Sequence, residues 1–307
     1  MSKTGTVIKS TGSWYLVNSD QGGDIVECRA KGRMRLNNSR STNPIAVGDK
    51  VAYEMDVEEG VGVISDVLPR RNYLIRRASN LSKESHVIAA NIDLLCPVVT
   101  LFSPPINFEF LDRMLVTAEV YHIPAVIVLN KSDLYDDKDA IATFTDIYNS
   151  AGYEVLPISC VTGEGLDELR ELIHDKTTLF AGNSGVGKSS MVNLLEPELD
   201  VRTGHVSDSH NKGRHTTTFA QMYPLSSGGY IIDSPGVRGF GLVGVERDEI
   251  CRYFPDLFRY APECAYYNCI HTHEPDCAVK EAIARGYISE SRYISYLKLL
   301  EEDGKYR

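Results

Sequence analysis

The sequence has no long apolar run. Stretches such as IPAVIVL (residues 123–129) are far too short to cross a bilayer, and the opening MSKTGTVIKSTGSWYLVN is polar and broken by glycine rather than apolar. A membrane-spanning or secreted chain is therefore not expected; the expectation is a cytoplasmic protein with no membrane partner. An even complement of cysteines is missing too. Seven thiols without a secretion signal argue against a disulfide framework. Internal repeats and low-complexity tracts are also absent. What remains is an ordinary globular composition, 43% apolar and 24% charged over 307 residues, enough for two or three domains.

Charge is unevenly placed. The net charge is −10, yet residues 1–77 hold twelve Lys and Arg against nine Asp and Glu, which leaves about −13 for the rest. The segment CRAKGRMRLNNSR (28–40) has no acid at all. It reads either as a strand edge protected by charge or as a phosphate-binding surface carried by Arg29, Lys31, Arg33 and Arg35.

The first seventy residues are short alternating runs (GTVIKS, WYLVN, DIVECRAKGRMRL, DKVAYEMD, VGVISDVL) separated by Gly, Asn and Asp. Regular short strands with turn signals predict a small β-barrel of the OB type. From Asn91 the pattern changes to Val/Ile/Leu runs alternating with helix-period segments, which predicts a mainly parallel sheet covered by helices, with ligands at the carboxyl ends of its strands. Beyond residue 245 the chain becomes aromatic, Cys/His-bearing and then helical. SRYISYLKLLEE places Tyr293, Ile294, Leu297 and Leu300 on one helical face, expected to pack within its own small domain. The expected domains are thus 1–70, 71–245 and 246–307.

Gly182-Asn183-Ser184-Gly185-Val186-Gly187-Lys188-Ser189, followed by Ser190, fits G-x-x-x-x-G-K-[ST] completely, after the apolar run TTLFA and before the helical KSSMVNLL. Glycines there turn backbone N–H groups toward phosphate oxygens. The helix N-terminus adds a favourable dipole, Lys188 reaches the β/γ-phosphates and Ser189 can ligate Mg²⁺.

Asn130-Lys131-Ser132-Asp133 follows the run AVIVL. A carboxylate at Asp133 can accept hydrogen bonds from guanine N1–H and the 2-amino group, donors that adenine does not offer. Ser159 and Cys160, at the end of EVLPISC, are placed to back the base. Asp233-Ser234-Pro235-Gly236 reads as a D-x-x-G loop, with Asp233 holding Mg²⁺ through water and the Gly236 amide sensing a γ-phosphate. Before it lies the long polar stretch GHVSDSHNKGRHTTTFAQ, expected to be a switch loop in which one of Thr216 to Thr218, most simply Thr217, caps Mg²⁺.

In ordinary GTPases the phosphate cradle precedes the base reader. Here the order is reversed. Joining the old termini and opening a new break preserves a site built from loops at one sheet edge, so the order implies circular permutation.

These motifs, NKSD, GNSGVGKSS, GRHTTT and DSPG in that order, resemble the circularly permuted, small-ribosomal-subunit-dependent GTPases known as the RsgA or YjeQ/YloQ family. The resemblance implies an OB-fold, a permuted GTPase domain and a zinc domain. It further implies action late in 30S subunit maturation, with contacts to the 30S particle and 16S rRNA and release promoted by GTP hydrolysis. Nothing demands more than a monomer.

Cys264, Cys269, His271 and Cys277 have the spacing C-x₄-C-x-H-x₅-C, a Cys₃His set suited to one closed, structural Zn²⁺. His273 is a substitute ligand by spacing; the resemblance favours His271. The place just after D-x-x-G, which holds a water-orienting Gln in small GTPases, holds Val237. An apolar side chain cannot orient water. His215, directly before the threonines, is the expected catalytic residue, its neutral imidazole accepting a hydrogen bond from the attacking water. GTP or GDP, Mg²⁺ and Zn²⁺ are the expected cofactors. Two other classes stay open at this level: an RNA-binding assembly factor in which turnover is incidental, favoured by Val237, and a P-loop ATPase or nucleotide kinase, disfavoured by NKSD.

Overall fold

The computed structural model describes residues 2–32, 45–77, 85–135, 138–199, 220–233, 242 and 244–303. In chain order these form strands β1 (Lys3–Ser10), β2 (Trp14–Ser19), β3 (Ile25–Ala30), β4 (Lys50–Asp56), β5 (Val61–Val67), β6 (Tyr73–Arg77), β7 (Ser85–Ala90) and β8 (Leu94–Val99). Then α1 (Phe108–Val120), β9 (Val126–Leu129), α2 (Lys138–Ser150), β10 (Glu154–Pro157), α3 (Leu166–Ile173), β11 (Thr177–Ala181) and α4 (Lys188–Leu195) alternate. The short strands β12 (Gln221–Pro224) and β13 (Tyr230–Asp233) precede three helices, α5 (Pro255–Phe258), α6 (Ala278–Ala284) and α7 (Glu290–Asp303). The chain divides into two compact units, Met1–Leu95 with Arg170–Ala181 and Lys188–Gly241, and Cys96–Leu169 with Gly182–Gly187 and Leu242–Arg307.

In the first unit β1 to β5 close into a barrel. Strand β1 pairs antiparallel with both β2 and β4, β2 with β3, and β4 with β5, while the β3–β5 pairing is parallel. Alternation in β2 points Tyr15 and Val17 inward, onto Val7, Cys28, Val51, Tyr53 and Ile64. Gly5 is required by packing: a Cβ there would lie 2.5 Å from Val17 Cγ1 and 2.6 Å from the Asn18 carbonyl oxygen. The barrel is tied to the segment that follows it by Arg70, whose Nε and Nη2 donate to the two carboxylate oxygens of the fully buried Asp49 at 2.6 and 2.7 Å. Asp49 also accepts the Ala46 N–H at 2.8 Å.

The same unit holds β11, β13 and β12, with β11 parallel to β13 and β13 antiparallel to β12. Strand β12 also meets β1, Lys9 opposite Gln221, and Asn18 Nδ2 donates to the Tyr230 hydroxyl at 2.7 Å. The β6–β7 hairpin and β12 were not anticipated in the sequence pattern. On the barrel, Arg29 does not stand free for phosphate: its guanidinium contacts Asp56 at 3.3 Å and Glu59 at 2.8 Å. Lys31 is exposed, and Arg33 and Arg35 lie outside the described residues.

In the second unit β8, β9 and β10 run parallel, β10 at the edge. Strand β8 is buried at every position, as a parallel strand covered on both faces must be. Helix α1 begins at Asn107, whose Oδ1 accepts the Phe110 N–H at 3.0 Å. The C-terminal helices share one core, built of Ile250, Phe254, Leu257, Val279, Ile288, Tyr296, Leu299 and Leu300, and Val116 of α1 belongs to it.

Of the face expected on α7, Leu300 is buried and Tyr293 and Leu297 pack against the core, but Ile294 is 46% exposed. The buried face is wider than the apolar periodicity indicated, because it also takes in Arg292, Ser295, Tyr296 and Leu299. Nor does α7 pack only within a small C-terminal domain; its Lys298 also reaches Glu109 of α1 at 2.9 Å.

Candidate nucleotide site and metal centre

The carboxyl ends of β9 and β10 place side by side the two segments expected to read a base. Asn130 is buried just past β9, and its amide serves three backbones at once. Nδ2 donates to the Val186 carbonyl at 2.8 Å; Oδ1 accepts the Lys131 N–H at 2.8 Å and the Cys160 N–H at 3.3 Å. Lys131 adopts a left-handed backbone, φ 66°, and its Nζ donates to the carbonyls of Gly185 at 2.9 Å and Ser103 at 2.6 Å. Two ties therefore bind NKSD to the glycine loop.

Asp133 is exposed and Ser159 buried. Ser159 Oγ donates to Asp133 Oδ1 at 2.5 Å while accepting the N–H groups of Val161 and Thr162 at 3.1 and 3.0 Å. Ser132 N–H donates to the Ile158 carbonyl at 3.0 Å, which locks the two loops in register. Burial pushes the Cys160 thiol up, so it stays protonated beside this carboxylate. Tyr135, which sequence reasoning passed over, braces the turn: its hydroxyl accepts the Leu101 N–H at 2.7 Å and donates to the Asn130 carbonyl at 3.2 Å.

Glycine is needed where the loop meets the reader. Gly187 has φ 100°, and a Cβ on it would lie 2.2 Å from Asn130 Nδ2. A Cβ on Gly182 would lie 2.2 Å from the Val98 carbonyl oxygen. Asn183, Ser184, Gly185 and Val186 complete the loop, and Lys188, Ser189 and Ser190 form the first turn of α4, a loop-to-helix junction of the kind that binds phosphate. Asp233 ends β13, opposite Phe180 of β11 and Gln221 of β12. His215, Thr216, Thr217, Thr218, Gly236 and Val237 lie outside the described residues.

At the other end of the chain the ligand atoms of Cys264, Cys269, His271 and Cys277 lie within 4.8 Å of one another. The Cys264–Cys277 sulfur separation is 3.8 Å, and His271 Nδ1 lies 3.6 and 3.4 Å from those sulfurs. A tetrahedral Zn²⁺ with Zn–S of about 2.3 Å and Zn–N of about 2.0–2.1 Å has edges of about 3.8 and 3.5 Å, so the donor set fits. His271 is buried and His273 exposed, which selects between the two histidines. Burial holds the His271 imidazole below its usual value, toward the neutral ring that a metal needs.

The loop is shaped from outside by Tyr293, whose hydroxyl donates to the His271 carbonyl at 2.6 Å, and Tyr296, which donates to that of Ile270 at 2.9 Å. Glu274 accepts the N–H groups of Ile270 and Thr272 at 3.0 and 2.9 Å. Partial burial alone would raise its carboxyl, but these backbone donors outweigh that and bring it down to about 2.

Comparison with known proteins identifies the family. The RsgA GTPase family matches residues 67–243, and the RsgA N-terminal domain matches residues 4–64. The chain belongs to the RsgA GTPase family. It is a GTP hydrolase with an N-terminal five-stranded barrel, a central circularly permuted GTPase domain and a C-terminal Cys/His cluster compatible with zinc.

A small ribosomal subunit biogenesis GTPase RsgA from Bacteroides fragilis is 50% identical over 307 residues, 99% of this chain and 98% of the relative. Among solved structures, YjeQ from Thermotoga maritima superposes with a TM-score of 0.80 at 34% identity, covering 100% of both chains. YloQ, described as a circularly permuted GTPase, gives 0.73 at 27% identity, covering 100% of this chain and 96% of its own. Both superpositions cover the whole of this chain, the barrel as well as the permuted domain. Among the described residues, no helix is long and apolar enough to cross a membrane.

Proposed function

We propose that this chain is a GTPase of small ribosomal subunit biogenesis, switched on by the 30S particle late in its maturation, and that hydrolysis promotes its release. The observation that carries the reading is the double tie of Asn130 and Lys131 to the carbonyls of Val186 and Gly185, which joins a base reader to a phosphate cradle. The name carried by relatives about half identical over the full length supplies the ribosomal context.

In this reading Asp133 accepts guanine N1–H and the 2-amino group, while Ser159 and the Cys160 backbone back the base. The loop Gly182–Gly187 and Lys188 hold the phosphates. Ser189, Thr217 and Asp233 organise Mg²⁺, and Gly236 reads the γ-phosphate. His215 orients the attacking water in place of the glutamine that Val237 replaces. The domains run over 1–70, 71–245 and 246–307, the barrel meets 16S rRNA through phosphate contacts, and Cys264, Cys269, His271 and Cys277 hold one structural Zn²⁺. The chain acts as a cytoplasmic monomer.

The test is GTP hydrolysis by the purified protein alone and with 30S subunits, with ATP as control. A weak basal rate that rises strongly with 30S is expected. A flat rate with intact GTP binding would instead leave a GTP-gated RNA-binding factor, the second reading that Val237 favours.

A further inference from the structure

The largest fully buried side chain among the described residues is charged. Arg292 of α7 is 0% exposed and holds five hydrogen-bonding directions inside the second unit. Nη1 donates to Asp112 Oδ1 of α1 at 2.6 Å; Nε and Nη2 donate to the two carboxylate oxygens of Asp256 on α5, both at 3.0 Å. Three rings surround the guanidinium, Phe254 at 4.8 Å, Tyr153 at 5.6 Å and Tyr148 at 5.7 Å. Tyr148 also donates to Asp112 Oδ1 at 3.0 Å, and Tyr153 to Glu119 Oε1 at 3.0 Å.

The position of two of these rings matters. Tyr148 lies in the last turn of α2, and Tyr153 immediately precedes β10, with its N–H bonded to the Tyr148 carbonyl at 2.9 Å. Strand β10 is four residues long and an edge strand, held laterally by β9 alone among the described residues. Its far end delivers Ile158, Ser159 and Cys160, the residues bonded to Leu129, Asp133 and Asn130. An edge strand so short has little to stop it sliding except what grips its ends.

Helix α1 is gripped in the same way through Asp112. The loop preceding it presents the Ser103 carbonyl to Lys131 Nζ at 2.6 Å. One guanidinium from the C-terminal helix therefore anchors both elements that frame the base reader.

We propose that Arg292 is a positioning residue for guanine recognition: by clamping Tyr153 and Asp112 it sets where β10 and the loop before α1 hold Ser159 and the Ser103 carbonyl against the base reader. It touches no nucleotide. It acts through the 2.5 Å Ser159–Asp133 bond, and the proposal rests on Asp133 being the guanine reader. A displacement of about 1 Å in such a constellation is enough to cost about 10²-fold where alignment decides the outcome.

The experiment uses the full-length protein and the ratio of its affinities for GDP and IDP, which lacks the 2-amino group. Wild type, Arg292→Met, Tyr153→Leu and Asp133→Asn are compared, each with its zinc content and thermal unfolding. A general loss of folded protein lowers the active fraction but leaves the GDP/IDP ratio of the remainder unchanged.

In Arg292→Met and Tyr153→Leu the ratio is expected to fall by about ten-fold with zinc retained, as loss of an orienting partner does at other built sites. Tyr153→Leu keeps both ion pairs of Arg292 and so decides the matter if Arg292→Met does not fold. An unchanged ratio in folded Tyr153→Leu or Arg292→Met, with wild type preferring GDP and Asp133→Asn abolishing that preference, overturns the role of Arg292 alone. A wild type that does not prefer GDP overturns the reading of Asp133 and this inference with it.

Discussion

Asn130 and Val186, fifty-six residues apart in the chain, are joined by a 2.8 Å hydrogen bond from the Asn130 side-chain amide to the Val186 carbonyl. The bond is buried, so neither partner has water as an alternative. Replacing Asn130 by Ala strands that carbonyl together with the Lys131 and Cys160 N–H groups. A loss of about 1–3 kcal/mol for an unsatisfied buried group is expected, with weaker GDP binding. Thermal unfolding and GDP titration measure both.

Gly187→Ala should abolish nucleotide binding more completely than Asn130→Ala. The new Cβ meets the Asn130 amide at 2.2 Å and the backbone sits at φ 100°, so either the loop or the reader must move. A fall in GDP affinity of more than about 100-fold is expected, since a built site loses its alignment. Zinc content should not change. Retained affinity would mean that the loop accommodates a side chain the geometry forbids.

Asp133→Asn exchanges a carboxylate for an amide that presents a donor where guanine also has donors. GDP binding should weaken by at least about 100-fold, because a polar site left unpaired discriminates strongly. Xanthosine diphosphate, which has a carbonyl at that position, should bind better to the variant than GDP does. Competition between the two nucleotides reads the switch directly.

Cys277→Ser should remove the metal and loosen the C-terminal core together. Cys277 is both a member of the Cys₃His cluster and packed in the core with Phe254, Val279 and Tyr296. Elemental analysis is expected to give about one Zn²⁺ per wild-type chain and none in the variant, with a lower unfolding temperature. A strong chelator should reproduce the thermal effect on the wild type and leave the variant where it was.

Asp49→Ala tests the barrel. It removes a fully buried carboxylate that accepts two guanidinium bonds and the Ala46 N–H. Arg70 keeps some access to solvent, so a cost near the lower end of that for breaking a buried pair, about 3 kcal/mol, is expected in denaturant unfolding.

Much of this molecule was legible in the order of its residues because local chemistry is repeated there. Short alternating runs announced the barrel, the G-x-x-x-x-G-K-S spacing placed the loop before α4, and C-x₄-C-x-H-x₅-C named four residues whose ligand atoms lie together. Burial and proximity to the cysteines favour His271 over His273, information that spacing does not encode. Arg292 was missed for the same reason that apolar periodicity works: it scores polar groups as surface, and a buried cation with its partners 36 and 180 residues away has no local signature. Strand β12 was missed because it is only four residues long, ends in proline and begins on the last residue of a polar stretch, although its hairpin partner β13 follows it closely.

The bond between Asn130 and Val186 also sets a timetable for synthesis. A growing chain completes its base reader while the glycine loop is still inside the ribosome that makes it, and the barrel, contained in the first 67 residues, is finished earlier still. In the proposed reading nucleotide capture therefore waits for the glycine loop, well after the barrel, while the C-terminal helices are still to be made. A chain that stops before residue 182 would have the reader without the cradle.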